Sequence, residues 1–163
     1  MAPVTPRRQA EIRHRQQLTQ QIRELLRELR IQLALLNHQV STQVELRDVD
    51  LDCLDLITLH GPLSPSTLAR RAGLHPATIT GILDRLEQGR WVARERDPSD
   101  RRAVRIRALN ERNADLMRLY SGMSNAMNKI CAGYNDTELE LIADFLRHTT
   151  NAGAAETDNL LAD

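Results

Sequence analysis

Residues 75–85 read HPATITGILDR, and Ile79, Ile82, Leu83 and Leu86 recur there at the spacing of a buried helical stripe. Opposite that stripe fall Ala77, Thr78, Gly81 and Arg85, with Thr80 and Asp84 at the flanks and His75 just ahead of the helix. These are small or hydrogen-bonding residues, not the Glu/Lys mixture of a solvated surface. Small side chains let a helix sit deep in a groove, and threonine can reach base edges or a thymine methyl. A second set follows. Arg94, Arg96, Arg101 and Arg102 surround the segment Asp97-Pro98-Ser99-Asp100. Guanidinium groups at the tip and sides of a turn suit phosphate oxygens and the negative potential of a narrow minor groove. Asp97 and Asp100 are expected to orient the neighbouring arginines through charge-assisted hydrogen bonds. The chemistry implied is contact with double-stranded DNA.

The elements that must position these residues are legible around them. Ser64-Pro65 reads as an N-cap followed by proline at the first helical position, and Gly73 as the C-terminal stop of that helix. Pro76 opens the second helix and Gly89 closes it. Trp91 to Arg94 reads as a strand, and Ala103 to Ala108 as its return, with Val104, Ile106 and Ala108 alternating against Arg105 and Arg107. Two short helices joined by a tight turn and followed by a hairpin make a winged helix-turn-helix. The expected fold is mainly α, with a small β-hairpin wing.

The segment GPLSPSTLARRAGLHPATITGILDRLEQGRWVARERDPSDRRAVRIRAL resembles the winged helix of the MarR family of bacterial transcriptional regulators. The resemblance rests on the LDRLE run, the G-x-W-V-x-R approach to the wing, and the DPSDRR tip. By motif it covers about residues 49 to 110, and by layout the whole chain. It implies terminal helices intertwined as a two-fold dimer, and a small aromatic or anionic effector held between those helices and the winged unit. Two departures stand out. His75 occupies a place where the family often has a Ser-like cap. After the wing, Leu109-Asn110 replaces Leu-Thr, with Asn113 near the position of a family glycine; Asn110 is expected to cap the helix that follows.

Net charge is zero, yet it is segregated. Residues 64–108 hold ten arginines against five acids, residues 1–63 hold eight groups of each sign, and residues 109–163 hold four basic groups against nine acidic ones. The basic part coincides with the winged unit, as a nucleic-acid-binding surface requires.

On either side, long helical patterns bracket this unit. From about Arg7 to Gln39, Leu18, Ile22, Leu25, Leu29, Leu33 and Leu36 step by fours and threes. A helix that long cannot bury itself in one small domain, so part of it is expected to pack on another chain. Ser41 to Asp48 reads as a polar connection, and Val49 to His60 as a helix with Leu51, Leu54 and Ile57 inward. Its acids, Asp48, Asp50, Asp52 and Asp55, spread around more than one face and read as solvated or as partners for arginines, not as metal ligands. From Asn110, one long helix is expected to carry a heptad-like seam of Leu116, Tyr120, Met123, Met127, Ile130 and Tyr134. Thr137 and Glu140, or Asp136, would cap a last helix whose apolar face holds Leu139, Ile142, Phe145 and Leu146 and fades from Thr149 onward. Leu18, Ile22, Leu25, Met127, Ile130, Leu139, Ile142 and Leu146 are the candidate dimerisation residues. The organisation expected is thus a tail and dimerisation helix over 1–39, a DNA-binding domain over 40–109, and C-terminal dimerisation helices over 110–163.

Other chemistry is poorly supplied. The five histidines are scattered, and there is no H-E-x-x-H, C-x-x-C or glycine-rich phosphate loop, so no catalytic residue, metal site or cofactor is expected. Cys53 and Cys131 are too few for a disulfide framework and lie among apolar residues, as inert packing would place them. No stretch reaches the roughly 18–20 apolar residues of a membrane helix, and no signal-like apolar core follows the N-terminus, so a cytoplasmic location is expected. The reading is a homodimeric repressor that binds a pseudo-palindromic operator and is released by a small ligand. The alternative is a winged-helix protein-interaction adaptor or small-molecule sensor without DNA binding, which predicts a wing lacking its basic tip.

Overall fold

The structure is a computed structural model and describes residues 6–97, 100 and 102–162. The chain divides into two compact units, Met1–Gln39 and Val40–Asp163. Nearly all of the first is helix α1, Pro6–Gln43. Local pairs support its surface, including Arg7 with Glu11 at 3.5 Å and Gln20 with Glu24 at 2.8 Å. Ile12, Leu18, Ile22, Leu25, Leu29 and Leu33 remain exposed along it. The helix passes the expected end at Gln39. Its last turn replaces the start of the expected polar connection because Val40 and Ser41 are buried there, and the Ser41 hydroxyl donates to Asp48.

In the second unit, α2 (Asp48–His60), α3 (Pro65–Ala72) and α4 (Pro76–Gln88) pack on one another, and the hairpin closes the core. Leu51, Leu54, Ile57, Leu68, Ile79, Ile82, Leu83 and Leu86 are all essentially removed from solvent. Each such side chain contributes about 1.5–3 kcal/mol by burial, so the three helices hold a fixed mutual geometry. The local signals act as expected. The Ser64 Oγ accepts from the Thr67 N–H at 3.1 Å, and Gly73 adopts φ 64°, where its N–H reaches the carbonyls that end α3. Strands β1 (Val92–Arg96) and β2 (Val104–Ala108) pair antiparallel, with Arg94 opposite Ile106. Leu63 adds a short bridge to Ile106, fastening the wing's base to the α2–α3 connection. Trp91, just ahead of β1, is 2% exposed, and the Arg112 guanidinium lies 4.4 Å from its ring centre.

Beyond the wing the structure departs from the expected single helix. Helix α5 (Asn110–Leu119) stops at Tyr120 and α6 (Ser121–Cys131) restarts at once. Ser121 donates its hydroxyl to the Arg118 carbonyl, and the heptad-like seam is split between two helices. Asn110 does not cap α5. It is already the first helical residue, Leu109 holds the cap position, and no side chain bonds there. Helix α7 (Asp136–Ala162) is capped by Asn135 and Glu138, not by Thr137 or Asp136. The Asn135 Oδ1 accepts from the Glu138 N–H at 3.0 Å, and Glu138 accepts from the Asn135 N–H at 2.9 Å, a reciprocal capping box. Nor does α7 fade from Thr149 onward. It continues through Thr149, Thr150 and Thr157, each of whose hydroxyls donates to the carbonyl four residues back.

Of the candidate dimerisation residues, Leu18, Ile22, Leu25, Met127, Ile130, Ile142 and Leu146 are exposed in the single chain and Leu139 is half-buried. Among the described residues, no helix is long and apolar enough to cross a membrane.

Asp55, on α2, is half-buried, and its carboxyl is raised from 3.8 to about 6 by burial and then by Asp52. A carboxyl raised on folding binds its proton more tightly in the native state, so its ionisation weakens the fold above about pH 6. That cost is relieved as pH falls from about 6 to about 4. Asp55→Asn is therefore expected to be the more stable protein at pH 8 and equal to the parent near pH 4. Denaturant unfolding at the two pH values checks this; a pH-independent difference would refute it.

Candidate nucleic-acid interface

The α3–α4 turn presents α4 with one face buried and the other free. Ala77, Thr78 and Thr80 are exposed, and Gly81 is half-exposed. Thr80 donates its hydroxyl to the Pro76 carbonyl at 3.2 Å, which leaves its oxygen as an acceptor and its methyl for apolar contact. Thr78 keeps both donor and acceptor capacity. Ahead of them the His75 Nδ1 accepts from the Ala77 N–H at 3.2 Å, so the ring does what a Ser-like cap would do.

Nothing inside the fold demands glycine at 81. A Cβ built there would meet only the Arg85 Nη1, at an ordinary 3.6 Å. Glycine in a helix interior costs about 1 kcal/mol relative to alanine, so its use favours close approach from outside. Gly81→Ala is expected to raise stability by up to about 1 kcal/mol and to weaken DNA binding. Parallel unfolding and binding titrations measure both, and a stabilised variant with unchanged affinity would sink the assignment.

The arginines sort themselves by partner. Arg85, expected on the DNA-facing side, instead reaches back to α2. Its Nε and Nη2 donate to the Asp50 carboxylate at 2.9 and 2.6 Å, and that carboxylate is 2% exposed. These hydrogen bonds hold the guanidinium above its ordinary pKa and commit it to the core's edge. Arg94 bridges wing and helix, 2.5 Å from Asp84 and 3.0 Å from Glu87. On the other face of the hairpin, Glu95 and Asp97 meet Arg107 and Arg105 diagonally across the strands. Asp97, only 8% exposed, pairs with Arg105, an arginine not among those assigned to it. Asp100 accepts from the Arg102 backbone N–H at 2.9 Å and so shapes the turn; among the described residues it holds no guanidinium. Arg96 and Arg102 are exposed and carry no ion pair among the described residues. Arg101 lies outside the described residues.

Sequence reasoning missed Arg105 and Arg107 as structural residues. The signal was present in the period-2 alternation, which puts Glu95 and Asp97 on the face of Arg105 and Arg107 once the register is set. That reasoning also placed Arg85 on the DNA-facing side, although it read the α2 acids as solvated or as partners for arginines. Cys53 is buried, and its thiol is pushed up to about 11 by that burial and then by Asp52 and Asp50, opposing formation of a reactive thiolate.

The MarR family matches residues 46–104, the span from just before α2 to the start of β2. The HTH-type transcriptional regulator YcgE of Bacillus subtilis is 31% identical over 137 residues, covering 84% of this chain and 89% of the relative. The chain belongs to the MarR family. The HTH-type transcriptional repressor NicR of Pseudomonas putida is 32% identical over 148 residues, covering 83% of this chain and 89% of its own. The same fold is seen in S. aureus MepR bound to an oligodeoxyribonucleotide, with a TM-score of 0.53 and 16% identity over 80% of this chain and 96% of that one. As a MarR protein this chain is a DNA-binding transcriptional regulator and not an enzyme.

Proposed function

We propose that the protein is a homodimeric repressor that reads a pseudo-palindromic operator and is released by a small aromatic or anionic effector, in the cytoplasm. The observation that carries the DNA contact is the contrast around α4. Its outer face (Ala77, Thr78, Thr80, Gly81) is uncharged and open, while Arg85, Arg94, Arg105 and Arg107 are tied to carboxylates and Arg96 and Arg102 stand exposed with no ion pair among the described residues. Small and hydroxyl-bearing residues then enter the major groove, and Arg96, Arg102 and the neighbouring Arg101 hold phosphates and the minor groove. The dimer is supported by the apolar residues left uncovered on α1, α6 and α7. Two-fold symmetry would set paired recognition helices roughly 34–36 Å apart. NicR, which is similar to this chain, is named as a repressor.

Selection from random duplexes, followed by titration of the winner from about 50 to 200 mM salt, tests the reading. A two-fold-symmetric motif with affinity falling steeply over that range is expected. A shallow slope without any motif would overturn it in favour of an adaptor or sensor.

A further inference from the structure

His75 does more than its position requires. Helix caps are best made by Asn, Asp or Ser, so capping alone gives no reason for an imidazole. Here the ring caps α4 in a way that fixes its own chemistry. Pro76 has no N–H, which makes the Ala77 N–H the first donor of the helix, and His75 Nδ1 accepts from it. A ring nitrogen that accepts carries no proton, so in the neutral ring the single proton sits on Nε2. The His75 carbonyl meanwhile accepts from the Thr78 and Ile79 N–H groups at 2.9 and 3.2 Å, which holds the residue at the head of the helix. Nε2 lies across the ring from the capping nitrogen, directed away from the backbone, and the residue is exposed. Ala77 and Thr78, the next side chains on the open face, are exposed beside it.

We propose that His75 is a specificity-determining residue, its cap locking the Nε2–H tautomer so that a single neutral donor meets a purine N7 on the major-groove edge of the operator. This rests on the DNA-binding reading above. N-terminal residues of a recognition helix are the ones that reach base edges, and purine N7 is an acceptor there while the pyrimidines present none at that place. A neutral donor adds selectivity without adding to the salt-dependent attraction for every phosphate. Serine at 75 would keep the cap and lose the donor.

The test uses the full-length protein and the selected operator. Long-range proton–nitrogen NMR correlations of the free protein are expected to show Nε2–H for His75; an Nδ1–H ring would overturn the proposal. His75→Ser is expected to fold with parental stability and to lose discrimination at one symmetry-related base position by about 5- to 10-fold, the low end of what base contacts supply. Placing 7-deazapurine at that position should weaken the parent by the same factor and leave His75→Ser unchanged. If His75→Ser weakens all sequences equally, the ring touches phosphate and the proposal fails. Full selectivity in the variant also sinks it, while leaving the DNA-binding reading intact. Failure of the parent to select any operator would instead remove that underlying reading, and the proposal with it.

Discussion

Arg85→Ala is expected to destabilise the winged unit by about 3 kcal/mol, a loss read from denaturant titration. The cost comes from what is left behind. Asp50 is 1% exposed and receives two hydrogen bonds from the guanidinium, so truncating Arg85 strands a carboxylate inside the core's edge. Breaking such a pair from one side costs about 3–5 kcal/mol, and the lower end applies because Arg85 itself is 37% exposed. Replacing both partners by apolar residues of similar volume should restore most of the loss, because no charge is then left buried. DNA affinity of the single variant should fall only as far as its folded fraction falls. A stable Arg85→Ala protein with abolished operator binding would return Arg85 to the DNA-contacting set.

The wing gives the second large effect. Arg96→Ala with Arg102→Ala removes from each wing two guanidinium groups that have no ion pair among the described residues. In a dimer the plot of log affinity against log salt should become shallower by about 4, roughly one unit for each phosphate that is no longer neutralised. Operator and unrelated DNA should weaken by similar factors. Arg105→Ala serves as the contrast. Its charge is already answered by Asp97, so it displaces fewer counterions from DNA on binding. A slope change in Arg105→Ala as large as that in Arg96→Ala would show that carboxylate pairing is the wrong guide to this surface.

Much of the fold was legible because its signals are local. Ser64, Pro65, Gly73 and Pro76 act within one helical turn, and the apolar spacing of Ile79, Ile82, Leu83 and Leu86 needs no distant partner. Errors collected where two local solutions compete. Asn135 with Glu138 offers the same capping chemistry as Thr137 with Glu140, one turn apart or less, and only the packed helix selects between them. At Tyr120 the apolar spacing runs on unbroken, and the one local mark of the break that the backbone makes between Leu119 and Ser121 is the Ser121-Gly122 pair.

Residue types and their order were enough to establish a basic winged helix-turn-helix between long helices, with an uncharged outer face on α4. They left open which arginines are available to DNA. Ten arginines in residues 64–108 look alike in a charge count. Ion pairing depends on side chains brought within a few ångströms by the fold, as when α4 lays Arg85 against Asp50, thirty-five residues earlier in the chain. Hairpin register does the same for Arg105 and Arg107, and α4–wing packing for Arg94. Tertiary structure alone decides those pairings because charge attraction falls with distance in space, whatever the separation along the chain.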